Sequence, residues 1–198
     1  MADPAPKRLS AREELAALTH ERIMNGLAVL LRRGEGEVTF AAVAEETGVP
    51  ERTLYRYFAS KEALFSAFWT WFGQKMEMPP KPTNLGQVVN HITALFAAFD
   101  REEPLVRAML HDPHARAVRT ANAQAQRSEF KSALRPLIVR LPPGDGRQLL
   151  AAVTTLCSAS GWAAMKDSTG LSGKAAAEAT EWAVRVLISE ARRQSRGP

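Results

Sequence analysis

The chain is poor in cysteine: Cys157 stands alone among 198 residues. One thiol excludes an intrachain disulfide framework and a Cys-rich zinc module, and it suits a reducing compartment. Long apolar runs are missing as well, since nothing approaches the ~20 residues that span a bilayer. The N-terminal stretch is rich in Pro and Ala and has no apolar signal core. The expectation is a cytoplasmic protein with no membrane partner. Three catalytic signatures are also absent: a Gly-rich phosphate loop, Gly-x-Ser-x-Gly and His-Glu-x-x-His. Acidic and basic residues are scattered, so neither an enzyme nor a cofactor is expected. β-branched clusters with period-two alternation are lacking, which argues against a sheet.

What remains reads as helix almost throughout, with Ala, Leu, Arg and Glu dominant. Residues 1–10 form a loose basic arm carrying Lys7 and Arg8. A first helix is expected over 11–33, with Ile23, Leu27, Leu30 and Leu31 in one apolar stripe and Gly34-Glu35-Gly36 to stop it. Thr39 caps a short helix over 40–47, Gly48-Val49-Pro50 makes a tight turn, and a second short helix covers 51–57. Ser60 opens another helix over 61–75. Pro79, Pro80 and Pro82 then break the chain. This divides an N-terminal domain, 11–78, from a C-terminal one, 79–198. The second should hold helices over 85–100, 104–111, 113–141, 146–169 and 172–193, with Pro136 kinking the third. The fold class is all-α, with about nine helices: a three-helix N-terminal domain and an antiparallel helical C-terminal domain.

Residues 39–58 have helix-turn-helix spacing. In that motif the first helix and the turn clamp the second, so its polar face can enter the DNA major groove. Arg52, Thr53 and Arg56 lie on that outward face. Arg can donate two bonds to guanine, and Thr can meet a thymine methyl or a base edge. Tyr55 and Tyr57 can carry hydroxyls to phosphates, and Lys61 places a cation near the backbone. Two short helices joined by a Gly turn also occur in α-proteins that bind no DNA, so spacing alone leaves both readings open.

The residues themselves go further. The stretch from Val43 to Leu64 carries Gly-Val-x-x-x-Thr-Leu-Tyr-x-x-Phe-x-Ser-Lys-x-x-Leu and closely resembles the TetR family of transcriptional regulators. The resemblance covers about 12–72; beyond it only length, helical character and two late Trp-containing helices are similar. It implies a homodimer with an N-terminal DNA-binding domain, a palindromic double-stranded operator and a C-terminal domain that binds a small-molecule effector. It places Thr39, Arg52, Thr53, Tyr55, Tyr57 and Lys61 near DNA; Arg56 is added from its outward position. Pro50 stands where a capping Ser is usual and Tyr57 where His is common.

The C-terminal domain yields two further expectations. In the last helix Trp182, Ala183, Val184, Val186, Leu187 and Ile188 surround most of the circumference, wider than one intramolecular stripe. Small residues around Ala175 and Ala179 permit close approach of another helix. A two-fold dimer through Ala175, Ala179, Trp182, Val186 and Leu187 is expected; a central core helix of a monomer is the alternative. Trp69, Phe72, Phe96, Phe99, Met109, Phe130, Trp162 and Met165, with Thr154, Thr155 and Ser158 as polar contacts, could line a pocket for a mainly hydrophobic effector. The same residues would also serve an ordinary core. His111-Asp112-Pro113-His114 invites a metal reading, but Asp112 is a good helix cap and no metal is expected. His91 reads as half-buried and Cys157 as packing. A ligand-independent architectural or adaptor DNA-binder of the same fold is the second functional reading.

Charge is unevenly spread. The net charge of +5 comes from 26 Lys+Arg against 21 Asp+Glu. Residues 1–78 hold 10 basic and 11 acidic side chains, whereas 79–198 hold 16 and 10. The half with the DNA-binding motif is therefore not the basic half, and any DNA affinity must come from local placement.

Overall fold

A computed structural model describes residues 10–34 and 37–195. The arm with Lys7 and Arg8 lies outside the described residues, as do Glu35 and Gly36. Ten α-helices, one 3-10 turn and no strand occur among the described residues. The chain separates into two compact units, Met1–Phe68 and Trp69–Pro198.

In the first unit, α1 is Ala11–Arg33, α2 is Phe40–Thr47 and α3 is Glu51–Tyr57, with α4, Lys61–Lys75, crossing the division. Local chemistry sets these bounds. The Ser10 side chain accepts from the Glu13 amide while the Glu13 carboxylate accepts from the Ser10 amide, a reciprocal cap on α1. Gly34 closes α1 in the left-handed region. Ile23, Met24, Leu27, Val43, Leu54, Leu64, Phe65 and Phe68 form the buried centre of the unit. α1 and α2 cross where Gly26 faces Thr47. A Cβ on Gly26 would lie 2.2 Å from Thr47 Cγ2, so only glycine fits at this crossing.

In the second unit, α5 is Leu85–Arg101, α6 is Glu103–His111 and α7 is Arg116–Ile138; α8 is Pro143–Leu156, α9 is Ala159–Thr169 and α10 is Gly173–Gln194. α10 packs chiefly on α5, and α7 on α8. α5 buries Val88, Ile92, Leu95, Phe96 and Phe99 along one stripe. Small Ala176 and Ala177, with Val184 and Ile188, form the inward side of α10.

Two helices differ from their expected bounds. The helix expected over 146–169 is broken at Cys157 and Ser158. Ser158 is an N-cap that accepts from the Gly161 amide at 3.0 Å. The Cys157 carbonyl, which would have continued the helix ladder, accepts from Gln126 Nε2 of α7 at 2.6 Å. The helix expected over 113–141 starts with a 3-10 turn, Pro113–Ala115, and ends at Ile138, so Pro136 falls in its last turn.

A polar cluster ties α5, α6 and α9. The Asp100 carboxylate accepts from Trp162 Nε1 at 3.0 Å and from Lys166 Nζ at 2.9 Å. Lys166 also bonds Glu103 at 2.5 Å, and Arg107 reaches both Glu103 and Asp167 at 2.7 Å. The bonds from Lys166 and Arg107 hold the Glu103 carboxyl below its ordinary range. Burial works against the charge on Lys166, but its bonds to Glu103 and Asp100 prevail and hold its pKa up. The guanidinium of Arg107 and the ammonium of Lys166 both approach the Trp162 ring, at 5.3 and 4.9 Å from its centre.

Candidate nucleic-acid interface

The turn between α2 and α3 is built before either helix can present anything. Thr39 Oγ1 accepts from the Ala42 amide at 3.1 Å and opens α2. Gly48, at φ 65°, ends α2 with its amide on the Ala44 carbonyl. Thr47 Oγ1 donates to the Val43 carbonyl at 2.6 Å and accepts from the Val49 amide at 3.2 Å, so one hydroxyl braces both sides of the corner. Pro50 has no side-chain oxygen and so gives α3 no side-chain cap. Its carbonyl instead accepts from both Thr53 and Leu54, at 2.7 and 3.2 Å.

α3 turns Leu54 inward, and Phe58 just beyond it is buried as well. Arg52 and Arg56 stand one turn apart on the exposed side, with Thr53 half-buried beside them. Tyr55 is 55% exposed, yet its ring lies against Phe40 of α2 at 4.5 Å between centres. That contact holds the ring against α2 while the residue stays exposed. The Arg56 guanidinium sits 5.7 Å from the Tyr57 ring centre.

Three of the side chains expected at DNA are already engaged within the unit. The Tyr57 hydroxyl is directed at the Ala16 carbonyl of α1, at 3.5 Å, the outer limit of a hydrogen bond. Lys61 Nζ is paired with Glu37. Thr39 is occupied as a cap. The solvent-facing group of the expected set is thus Arg52, Tyr55 and Arg56. The Phe40–Tyr55 and Lys61–Glu37 pairs have no signal in the sequence, because nothing in the spacing links them.

In the second unit the expected pocket residues fall mostly into the core. Phe72, Phe96, Phe99, Met109, Phe130 and Trp162 are buried, while Trp69 and Met165 are half-buried. Phe99 and Trp162 pack ring to ring at 5.7 Å. Thr154 donates to the Leu150 carbonyl at 2.7 Å, and Ser158 is spent as the α9 cap. Thr155 is exposed. On α10, Trp182 is 70% and Val186 48% exposed, with Ala175, Ala179 and Leu187 half-buried. Asp112 caps the 3-10 turn by accepting from the His114 amide at 2.8 Å, and no cluster of three metal-ligating side chains occurs among the described residues. No helix among them is long and apolar enough to cross a membrane.

The geometry defines a helix-turn-helix protein: a braced two-helix corner that offers one short polar helix to solvent. Residues 25–68 match the family described as bacterial regulatory proteins, tetR family. The N-terminal unit thus carries a TetR-type DNA-binding domain. It is 30% identical to the nucleoid occlusion factor SlmA of Mannheimia succiniciproducens, over 65% of this chain and 63% of that protein. The chain thus spans less than two thirds of the length of that relative. A solved TetR transcriptional regulator from Rhodococcus sp. RHA1 is 22% identical, with a TM-score of 0.49, over 86% of this chain and 97% of that one.

Proposed function

We propose that the protein is a cytoplasmic, non-enzymatic transcriptional regulator that binds a palindromic operator as a homodimer and acts as a repressor. A small, mainly hydrophobic effector bound in the second unit releases it. The observation that carries this reading is α3: Arg52, Tyr55 and Arg56 face solvent on a helix locked by Leu54, Phe58 and the Thr47 brace. Arg52 and Arg56 read bases, and Tyr55 meets a phosphate; Lys61, Tyr57, Thr53 and Thr39 lie at the edge of the contact. Trp182 and Val186, exposed one turn apart on α10 beside Ala175 and Ala179, support a two-fold helix-on-helix interface.

Purified protein would be used to select bound fragments from genomic DNA, and the recovered site would then be titrated by fluorescence anisotropy. A two-fold site is expected, and Arg52→Ala or Arg56→Ala should each cost about 1–3 kcal/mol and relax the base preference. Unchanged affinity and preference in both variants would remove α3 from the reading. A second reading is compatible with the relative named as a nucleoid occlusion factor: a ligand-independent architectural or adaptor DNA-binder of the same fold. Apolar candidates screened by thermal shift separate the two. A compound that stabilises the fold and also releases the operator supports the regulator.

A further inference from the structure

The strongest unexplained feature is the solvent face of α7. Residues 116–147 hold seven basic side chains, Arg116, Arg119, Arg127, Lys131, Arg135, Arg140 and Arg147, against Glu129 and Asp145. That segment alone accounts for a net charge equal to the +5 of the whole chain. Arg119 is used internally, donating to the Met109 and Asp112 carbonyls at 2.8 and 2.7 Å. Glu129, the one acid on α7, is half-buried and paired with Lys81. Arg127, Lys131 and Arg135 are different. All three are exposed, and none has an ion-pair partner among the described residues. They recur every four residues, about 6 Å per step along the helix.

The row ends in a concave apolar patch. A cleft of about 300 Å³ is lined by Ser128, Lys131, Ser132, Arg135, Ile138 and Val139. Val139 is 67% exposed, while the two serines keep the space between the cations open. Side chains on one side of an extended peptide recur every ~6.7 Å, and those four apart on a helix every ~6 Å. Either spacing lets successive carboxylates meet successive cations of the row. Duplex phosphates could also meet the cations, but a phosphate backbone has nothing to place on Ile138 and Val139.

We propose that the solvent face of α7 is a docking surface for an acidic segment of a partner protein, one that also carries an aliphatic side chain for the Ile138–Val139 end. This surface belongs to the second unit and does not depend on the DNA reading of α3. The probe is a fluorescein-labelled peptide of consecutive Asp and Glu residues ending in a leucine pair, titrated against the full chain by anisotropy. Its control has serines in place of the leucines. The leucine peptide should bind several-fold more tightly than the serine peptide. Lys131→Glu with Arg135→Glu should weaken both by roughly tenfold or more. Val139→Ser should bring the leucine peptide down to the serine peptide's affinity and leave the latter unchanged. These side chains are exposed, so the variants should keep the parent's circular dichroism and melting temperature. If the charge reversals do disturb the fold, Lys131→Gln with Arg135→Gln takes their place. The proposal is overturned if charge reversal leaves peptide binding intact or if the leucines add nothing. It is also overturned if an arbitrary-sequence duplex outcompetes the peptide and loses its own binding in the charge-reversed variant, which would make the face a DNA contact.

Discussion

The crossing of α1 and α2 allows a test in which one substitution changes sign with its neighbour. In Gly26→Ala the new methyl would sit 2.2 Å from Thr47 Cγ2, while Thr47 Cβ and Glu46 Cγ lie at ordinary distances of 3.5 and 3.6 Å. Carbon atoms in contact prefer about 3.5–4.0 Å, so a single methyl must move by more than an ångström. Thr47 cannot simply rotate away. Its hydroxyl is bonded to the Val43 carbonyl at 2.6 Å and to the Val49 amide at 3.2 Å. The helices must therefore part, and overpacking of this kind costs about 1–3 kcal/mol. Alanine in a helix interior returns ~1 kcal/mol relative to glycine. The net for Gly26→Ala alone should be a loss of up to about 2 kcal/mol. In a Thr47→Ser background the methyl is gone and the hydroxyl is kept, so Gly26→Ala should now stabilise by up to ~1 kcal/mol. Urea unfolding followed by NMR of labelled tyrosine reads the first unit alone, because Tyr55 and Tyr57 are the chain's two tyrosines and both lie on α3. The reasoning fails if Gly26→Ala stabilises the parent, or if it destabilises equally with Ser at 47.

Other outcomes follow from the second unit. A Cβ on Gly173 would lie 1.6 Å from an Asp100 carboxylate oxygen, and that carboxylate is tied to Trp162 and Lys166. Gly173→Ala should therefore lower the melting temperature by breaking those bonds, and Asp100→Ala should make the same change at 173 nearly harmless; an additive pair would count against it. Burial holds the His91 ring below its ordinary value of 6.5, against the opposing effects of the Pro80 carbonyl and Glu129. The unfolded chain then binds this proton more readily, so His91 contributes stability above 6.5 that erodes as pH falls towards the depressed value. Melting temperature should fall more for the parent than for His91→Gln between about pH 7.5 and 5.5, and parallel curves would refute the assignment. Burial pushes the Cys157 thiol up to about 12. A maleimide at neutral pH should label it only after denaturation, and rapid labelling of the native chain would show that the α8–α9 break opens.

The helices of the first unit are legible at their ends because each boundary is written within a few residues. Thr39, Gly48, Ser60 and Gly34 act on amides and carbonyls three or four positions away, and that reach fits inside any local reading. The outward side of α3 is legible for the same reason, since burying Leu54 leaves Arg52 and Arg56 on the opposite surface. The helix expected over 146–169 shows where this stops. Ser158 is a capping residue inside an otherwise continuous apolar pattern, and Gln126 on another helix holds the Cys157 carbonyl where the ladder breaks.

Side-chain partners across elements are out of reach of any local pattern. Spacing marks Lys61 as a cation for DNA, but it does not show that Glu37 faces it. Composition offers Trp162, Phe99 and Met109 equally to a pocket or a core, and only the packing of α5, α6 and α9 shows that all three are buried. No spacing links Asp100 to Gly173, although their approach joins α5 to the start of α10. Periodicity and capping act over one turn, so most helices, their caps and the polar side of the short helix can be read along the chain. Pairs such as Lys61 with Glu37 or Lys81 with Glu129 join residues tens of positions apart, so folding sets which charges they neutralise and leaves Arg127, Lys131 and Arg135 facing water.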